Sequence, residues 1–232
     1  MLIIIFALIL FFGLVVAGTC YANLVKTYKK YSNTKAEIDS NALTVISASV
    51  KFYNMKTTVG LTQGFLTDFY SPKKDIIALS QDVAYGSSVA DISVASHEFG
   101  HALQKYDNSK LIKVSSFFGV VNKIANFFLP ILLVCCLVFV FIDSLAYLAP
   151  ILFYISVGVW FLTFVFRLIT IPVELDASKR AYNMLKENNI LTKDELKITK
   201  QVLDAAAFTY FGSLFKEIYK LYYYIKKAFM RD

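Results

Sequence analysis

The chain has 232 residues, of which 57% are hydrophobic and 18% charged, with a formal net charge of +7 and a mean hydropathy of +0.55. That is too apolar for an ordinary soluble domain, where apolar residues make up about 45–50% of the chain. Three cysteines with no CxxC spacing exclude a disulfide framework. No RNA- or DNA-binding motif accompanies the positive charge, so no nucleic-acid partner is expected.

The charges are unevenly placed. No Lys, Arg, Asp or Glu precedes Lys26, and between Lys123 and Arg167 the only charge is Asp143. A helix that crosses a bilayer needs about 20 apolar residues. The first gap therefore predicts one span, 2–20, and the second predicts two, 125–142 and 145–169, joined by a turn at Asp143 and Ser144. Pro130 and Pro150 fall near the ends of these spans, where proline is best tolerated. Lys and Arg collect on the cytoplasmic side of membrane proteins. Lys26, Lys29 and Lys30 follow the first span, Lys110, Lys113 and Lys123 precede the second, and Lys179 and Arg180 follow the third. This places the N-terminus outside and the C-terminus inside a multi-pass protein of the cell membrane. The charge of +7 then reflects that bias and an attraction to anionic lipid of the bilayer. A cleavable leader ending at Cys20 is disfavoured, because no basic region precedes the apolar run.

The domain organisation expected from this pattern is a transmembrane helix at 1–22, a cytoplasmic catalytic region at 23–122, a transmembrane hairpin at 123–171 and a cytoplasmic helical region at 172–232. Within the polar regions, Thr34-Lys35-Ala36-Glu37 is a capping-box pattern. It predicts a helix over 35–53, with Ile38, Ala42, Val45, Ile46 and Val50 on one face. Residues 65–70 and 76–80 are rich in strand formers and flank Ser71-Pro72-Lys73-Lys74-Asp75, which predicts a β-hairpin. Asp68 and Tyr70 are expected to serve the structure of that hairpin. A helix over 88–105 follows. Another continues from the third span through Glu174 to Leu185. Two more cover 193–210 and 213–228, the last suited to a membrane surface. The fold class is mainly α with a small β-hairpin or sheet, an α+β chain.

Residues 97–101 read HEFGH. On a helix, positions i and i+4 lie on one face, so His97 and His101 can grip one ion. Glu98 points beside that ion, where it can take a proton from an attacking water. The chain has only two histidines, and both are here. A catalytic zinc site needs a third protein ligand, which must then be a carboxylate. Asp107 stands six residues after His101, a spacing that normally relies on a glycine where this chain has Gln104. Glu174, in Pro172-Val173-Glu174-Leu175-Asp176-Ala177-Ser178, lies on the same predicted side of the membrane as the histidines and is the favoured ligand.

The blocks GFLTDFYSPKKDIIALS at 64–80, VASHEFGHALQ at 94–104 and TIPVELDASKRA at 170–181, with VLDAAAFTYFGS at 202–213, resemble the YugP-type membrane zinc metallopeptidases. The resemblance implies a zincin-like metalloprotease core joined to the three transmembrane helices. It also implies Zn2+ held by His97 and His101 with Glu98 as general base, and it matches Glu174 to the glutamate of that family's third block. Better-known zincins often carry Asp four residues after this glutamate. Here the position is Ser178, so support for the histidine ligands is expected from Asp176 or Ser178. Tyr210, from the AAAFTY stretch, is the candidate donor to the oxyanion, with Arg180 as the alternative. The implied function is hydrolysis of a peptide or protein substrate, with an edge of the 65–80 hairpin receiving an extended chain. The rival readings are a non-peptidase zinc hydrolase and an inactive membrane scaffold with a structural zinc site.

Overall fold

The structure is a computed structural model that describes residues 2–209, without the side chains of 2–14, 16, 17 and 167. Its helices are α1 (Leu2–Tyr31), α2 (Ala42–Phe52), α3 (Gln81–Tyr85), α4 (Val89–Tyr106), α5 (Lys110–Val140) and α6 (Ala149–Glu187). Residues 193–209 are also helical and are called α7. The strands are β1 (Thr58–Thr62), β2 (Phe69–Ser71) and β3 (Ile76–Ser80). The predicted helix over 213–228 lies outside the described residues. The described residues divide into two compact units, one comprising 2–19 and 115–170 and the other 20–114 and 171–209.

The described part of the first unit is apolar helix. Lys110–Val140 and Ala146–Glu187 are each long and apolar enough to cross a membrane. At 1.5 Å per residue, the 31 residues of α5 are roughly 46 Å long, more than the ~30 Å hydrocarbon core of a bilayer. The polar start of α5 is thus a continuation of the apolar part, with no breaker between. Pro130 accordingly stands inside α5, not near a helix end as the sequence suggested. Ala125, Leu129, Leu133 and Cys136 form the buried stripe of α5 at three- and four-residue spacing, with Ala149 and Phe166 buried on α6. Among the described residues these are the two membrane-length helices; the span predicted over 2–20 falls on α1, where most side chains lie outside the described set.

The second unit is built around α4 and a three-stranded sheet of order β1-β3-β2. β2 runs antiparallel to β3 across Ser71–Asp75, which is the hairpin anticipated from sequence. Its first strand is shorter than predicted, because Gly64 (φ 110°) and Leu66 (φ 50°) turn the chain before Phe69. β1 was not anticipated. It pairs in parallel with β3, Gly60 opposite Ala78, and the Gly in Thr58-Val59-Gly60-Leu61-Thr62 obscures an otherwise strand-forming run. Ile77 and Leu79 of central β3 are fully buried. Asp68 accepts from the Ser80 N–H at 2.7 Å, and the Tyr70 hydroxyl donates to Asp75 at 2.7 Å.

The helix predicted from residue 35 begins only at Ala42. The capping-box residues are used otherwise: the Ala36 N–H donates to Ser87 O, Thr34 O accepts from the Val89 N–H, and the Glu37 N–H donates to Glu195 Oε1. Once tertiary partners take these donors, the local box has nothing left to cap. Asn41 caps α2 instead, accepting from the Thr44 N–H at 2.8 Å.

α4 is buried on nearly every side, with Val89, Ala90, Ile92, Ala95, Phe99 and Ala102 wholly inaccessible. Its start is fixed by a capping box between Ser88 and Asp91. The Tyr28 hydroxyl from α1 donates to the second oxygen of Asp91 at 2.6 Å. Ser93 Oγ lies 3.0 Å from Thr199 Oγ1 of α7, tying that helix to the opposite side of α4. A helix held in this way presents its remaining polar side chains in a fixed direction.

Candidate metal centre

Those side chains are His97, Glu98 and His101. The imidazoles stand one turn apart with ring centroids separated by 4.9 Å and planes at 81°. Helix α6 passes α4 beside them, and at Gly100 the two backbones approach closely: a Cβ there would lie 2.2 Å from the Ala177 carbonyl oxygen. Only glycine permits this approach. Glu174, three residues before Ala177 on α6, is thereby brought to the histidines. Its Oε2 lies 3.2 Å from His97 Nε2 and 3.1 Å from His101 Nε2. One ligand atom from each of the three residues falls within a 4.8 Å cluster.

These separations fit a metal. Two donors at about 2.0–2.1 Å from one ion, at a tetrahedral angle, are roughly 3.3 Å apart. The donor set of two imidazoles and one carboxylate is of the type that catalytic zinc takes, leaving a fourth position open. His97 and Glu174 are buried, at 6% and 9% exposure, and His101 is partly buried. An isolated carboxylate so placed requires a compensating cation.

In the absence of an ion, protons fill that need. Burial by itself drives the Glu174 carboxyl up, but hydrogen bonds from His101 and His97 and their charge outweigh it and hold the carboxyl down to about 2. Burial likewise opposes the charged form of His101, and the Glu174 carboxylate overrides it, raising the imidazole to about 9. For Glu98, burial dominates and pushes the carboxyl up.

The signs yield a prediction for the metal-free protein. His101 is raised from 6.5 to about 9, so its contribution to stability is complete below 6.5 and lost as pH rises through about 9. Glu174 is lowered from 4.5 to about 2, so its contribution is present above 4.5 and lost as pH falls through about 2. The pair therefore supports the apo fold most strongly between pH 4.5 and 6.5. Because a ligand imidazole must be neutral, loading zinc at pH 7 is expected to release about one proton. Calorimetric titrations in buffers of different ionisation enthalpy would measure it; the absence of proton release would contradict the coupling of His101 to Glu174.

The far sides of both rings are also occupied. Ser178 Oγ lies 3.1 Å from His97 Nδ1, and Gln104 Oε1 lies 3.0 Å from His101 Nδ1. Asp176 reaches His101 only through Gln104, whose Nε2 donates to Asp176 Oδ2 at 2.8 Å. Gln104 is the residue that sequence reasoning passed over. It drew notice only as a missing glycine, although a polar side chain three residues after His101 on a buried helix was the available signal. Asp107 caps the C-terminus of α4 and pairs with Arg180, outside the donor cluster. Arg180, the alternative oxyanion donor, is held by Asp107 and by Asp176 at 2.8 Å. Tyr210 lies outside the described residues.

The sequence family described as "Putative neutral zinc metallopeptidase" matches residues 3–229. The chain belongs to this family, and its cofactor is zinc. It is also 36% identical, over 160 residues covering 68% of this chain and 67% of the relative, to the "Putative membrane protease YugP" of Bacillus subtilis (strain 168). No solved structure matches the chain.

Proposed function

We propose that the protein is a membrane-bound metalloendopeptidase in which His97, His101 and Glu174 hold zinc and Glu98 is the general base. The observation that carries this reading is the convergence of a carboxylate oxygen from α6 on both Nε2 atoms of α4, with Glu98 on the same helix between them. When bound, zinc supplies a Lewis acid that lowers the pKa of water toward neutrality and polarises the scissile carbonyl.

The chain's own groups do the rest. Glu98 takes the proton of the attacking water as its oxygen bonds to the carbonyl carbon. It then delivers that proton to the amide nitrogen as the C–N bond breaks. Burial raises its carboxyl, which brings the base nearer to working pH and strengthens it for this transfer. Ser178 and Gln104 hold the two rings from behind. Tyr210 is the group assigned to the oxyanion. An extended substrate would add its backbone to an outer edge of the sheet, where β1 and β2 are the edge strands. Three spans with the N-terminus outside and the catalytic groups in the cytoplasm accord with the distribution of Lys and Arg, and membrane attachment accords with the relative's name.

The test is Glu174→Gln. It keeps the shape of the side chain and removes the charge that the two imidazoles face. Zinc affinity is expected to fall by more than the roughly 10–100-fold that follows loss of an outer-shell partner, with loss of peptide hydrolysis. Wild-type protein purified without zinc, or a variant that keeps its full complement, would overturn the site. Hydrolysis of esters but not peptides would instead favour a zinc hydrolase of another kind.

A further inference from the structure

The Gln104 side chain is fully buried, and both ends of its amide have hydrogen-bond partners. Nε2 donates to Val173 O at 2.7 Å and to Asp176 Oδ2 at 2.8 Å. A backbone carbonyl can only accept, so the nitrogen must face Val173 O and the amide cannot be reversed. Arg180 Nε donates to the same Asp176 oxygen at 2.8 Å, so that oxygen faces donors on both sides. Arg180 is anchored in turn by Asp107. The amide oxygen is thereby left facing His101 Nδ1 at 3.0 Å. A carbonyl oxygen also only accepts, so Nδ1 must carry a proton, which leaves Nε2 on the side of Glu174.

We infer that Gln104 is a positioning residue, which locks His101 in the form that presents Nε2 to the metal and ties that choice to the helix carrying Glu174. The inference rests on the metal-site reading above. Val173 and Asp176 flank Glu174 on α6, so one amide fixes the orientation of a ligand on α4 and the position of a ligand on α6. The device is confined to His101. At His97 the partner is the Ser178 hydroxyl, which donates or accepts equally well and selects no tautomer.

The chain's two histidines make this directly measurable, because a full-length protein labelled with [15N]histidine carries signals from those two rings alone. In zinc-loaded wild type in detergent, His101 is expected to show a slowly exchanging proton on Nδ1, with Nε2 bearing the metal. Gln104→Met keeps the length of the side chain and removes the amide. It is expected to lose that proton signal, to leave the His97 signals in place and to weaken zinc, measured against a competing chelator, by about 10- to 100-fold. Thermal midpoints of the apo proteins are followed in parallel. A lowered midpoint with unchanged zinc affinity and an intact Nδ1 proton would mean that Gln104 only packs the core, and the inference falls. Should Gln104→Met not fold, the wild-type spectrum decides: a proton on His101 Nε2 overturns the inference. Wild type that binds no zinc overturns the metal site and this inference together, whereas zinc-binding wild type with an unaffected variant overturns this inference alone.

Discussion

Glu98→Gln is expected to retain zinc at the wild-type level and to lower peptide hydrolysis by about 100- to 10,000-fold, the range that general-base catalysis commonly supplies. Each tenfold corresponds to about 1.4 kcal/mol, so the side chain is being asked for roughly 3–6 kcal/mol of the barrier. Glu98 is not among the three donors that cluster at the candidate metal position. An amide of the same shape should therefore leave the metal in place, but it cannot take a proton. Glu98 is buried to 9% exposure, and burial already opposes its charge, so the neutral amide should not weaken the fold. Zinc analysis, a thermal melt and a peptidase assay on the same preparation separate the outcomes. Full activity in the variant would refute the assigned mechanism. Loss of zinc would mean instead that Glu98 belongs to the metal's support.

How much of this was legible in the sequence depended on whether the deciding interaction was local. The helix carrying HEFGH was readable because α4 has its own N-terminal cap and no proline between Ser88 and Tyr106. The hairpin of β2 and β3 was readable from its strand formers and turn. The start of α2 was not, because the groups that claim the backbone of residues 34–37 are Ser87, Val89 and Glu195, distant in sequence. β1 escaped for a related reason, since its parallel partner β3 begins 18 residues later at the paired position, Thr58 opposite Ile76. At the candidate metal centre the choice of residues was readable from their types: with only two histidines in the chain, an acid was the expected third donor, and Glu174 falls in the cluster with them. The connection of Gln104 to Asp176 was hidden, because it depends on two helices meeting at one turn.

That meeting is the point at which a single methyl group should do most damage. Gly100→Ala is expected to destabilise the protein by about 2 kcal/mol and to impair zinc binding as well. On helix propensity alone the change should help, since alanine is favoured over glycine by about 1 kcal/mol. Packing opposes it more strongly. The added Cβ would lie 2.2 Å from the Ala177 carbonyl oxygen and 2.9 Å from its carbon, both of them backbone atoms of a residue that is itself fully buried. No side-chain rotation relieves such a contact, so α4 and α6 must separate by about 1 Å to restore ordinary van der Waals distance. Overpacking of this kind costs about 1–3 kcal/mol and occasionally more. Glu174 and Asp176 ride on the same part of α6, and metal–ligand distances tolerate only about 0.2 Å. Separation of the helices therefore stretches the Glu174 contact with both imidazoles and the Gln104 contact with Asp176 together. Zinc affinity by chelator competition and the apo thermal midpoint should both fall in Gly100→Ala. A midpoint raised by the better helix former, with zinc affinity unchanged, would show that α4 and α6 do not meet at Gly100 and would remove the physical basis for placing Glu174 at the metal.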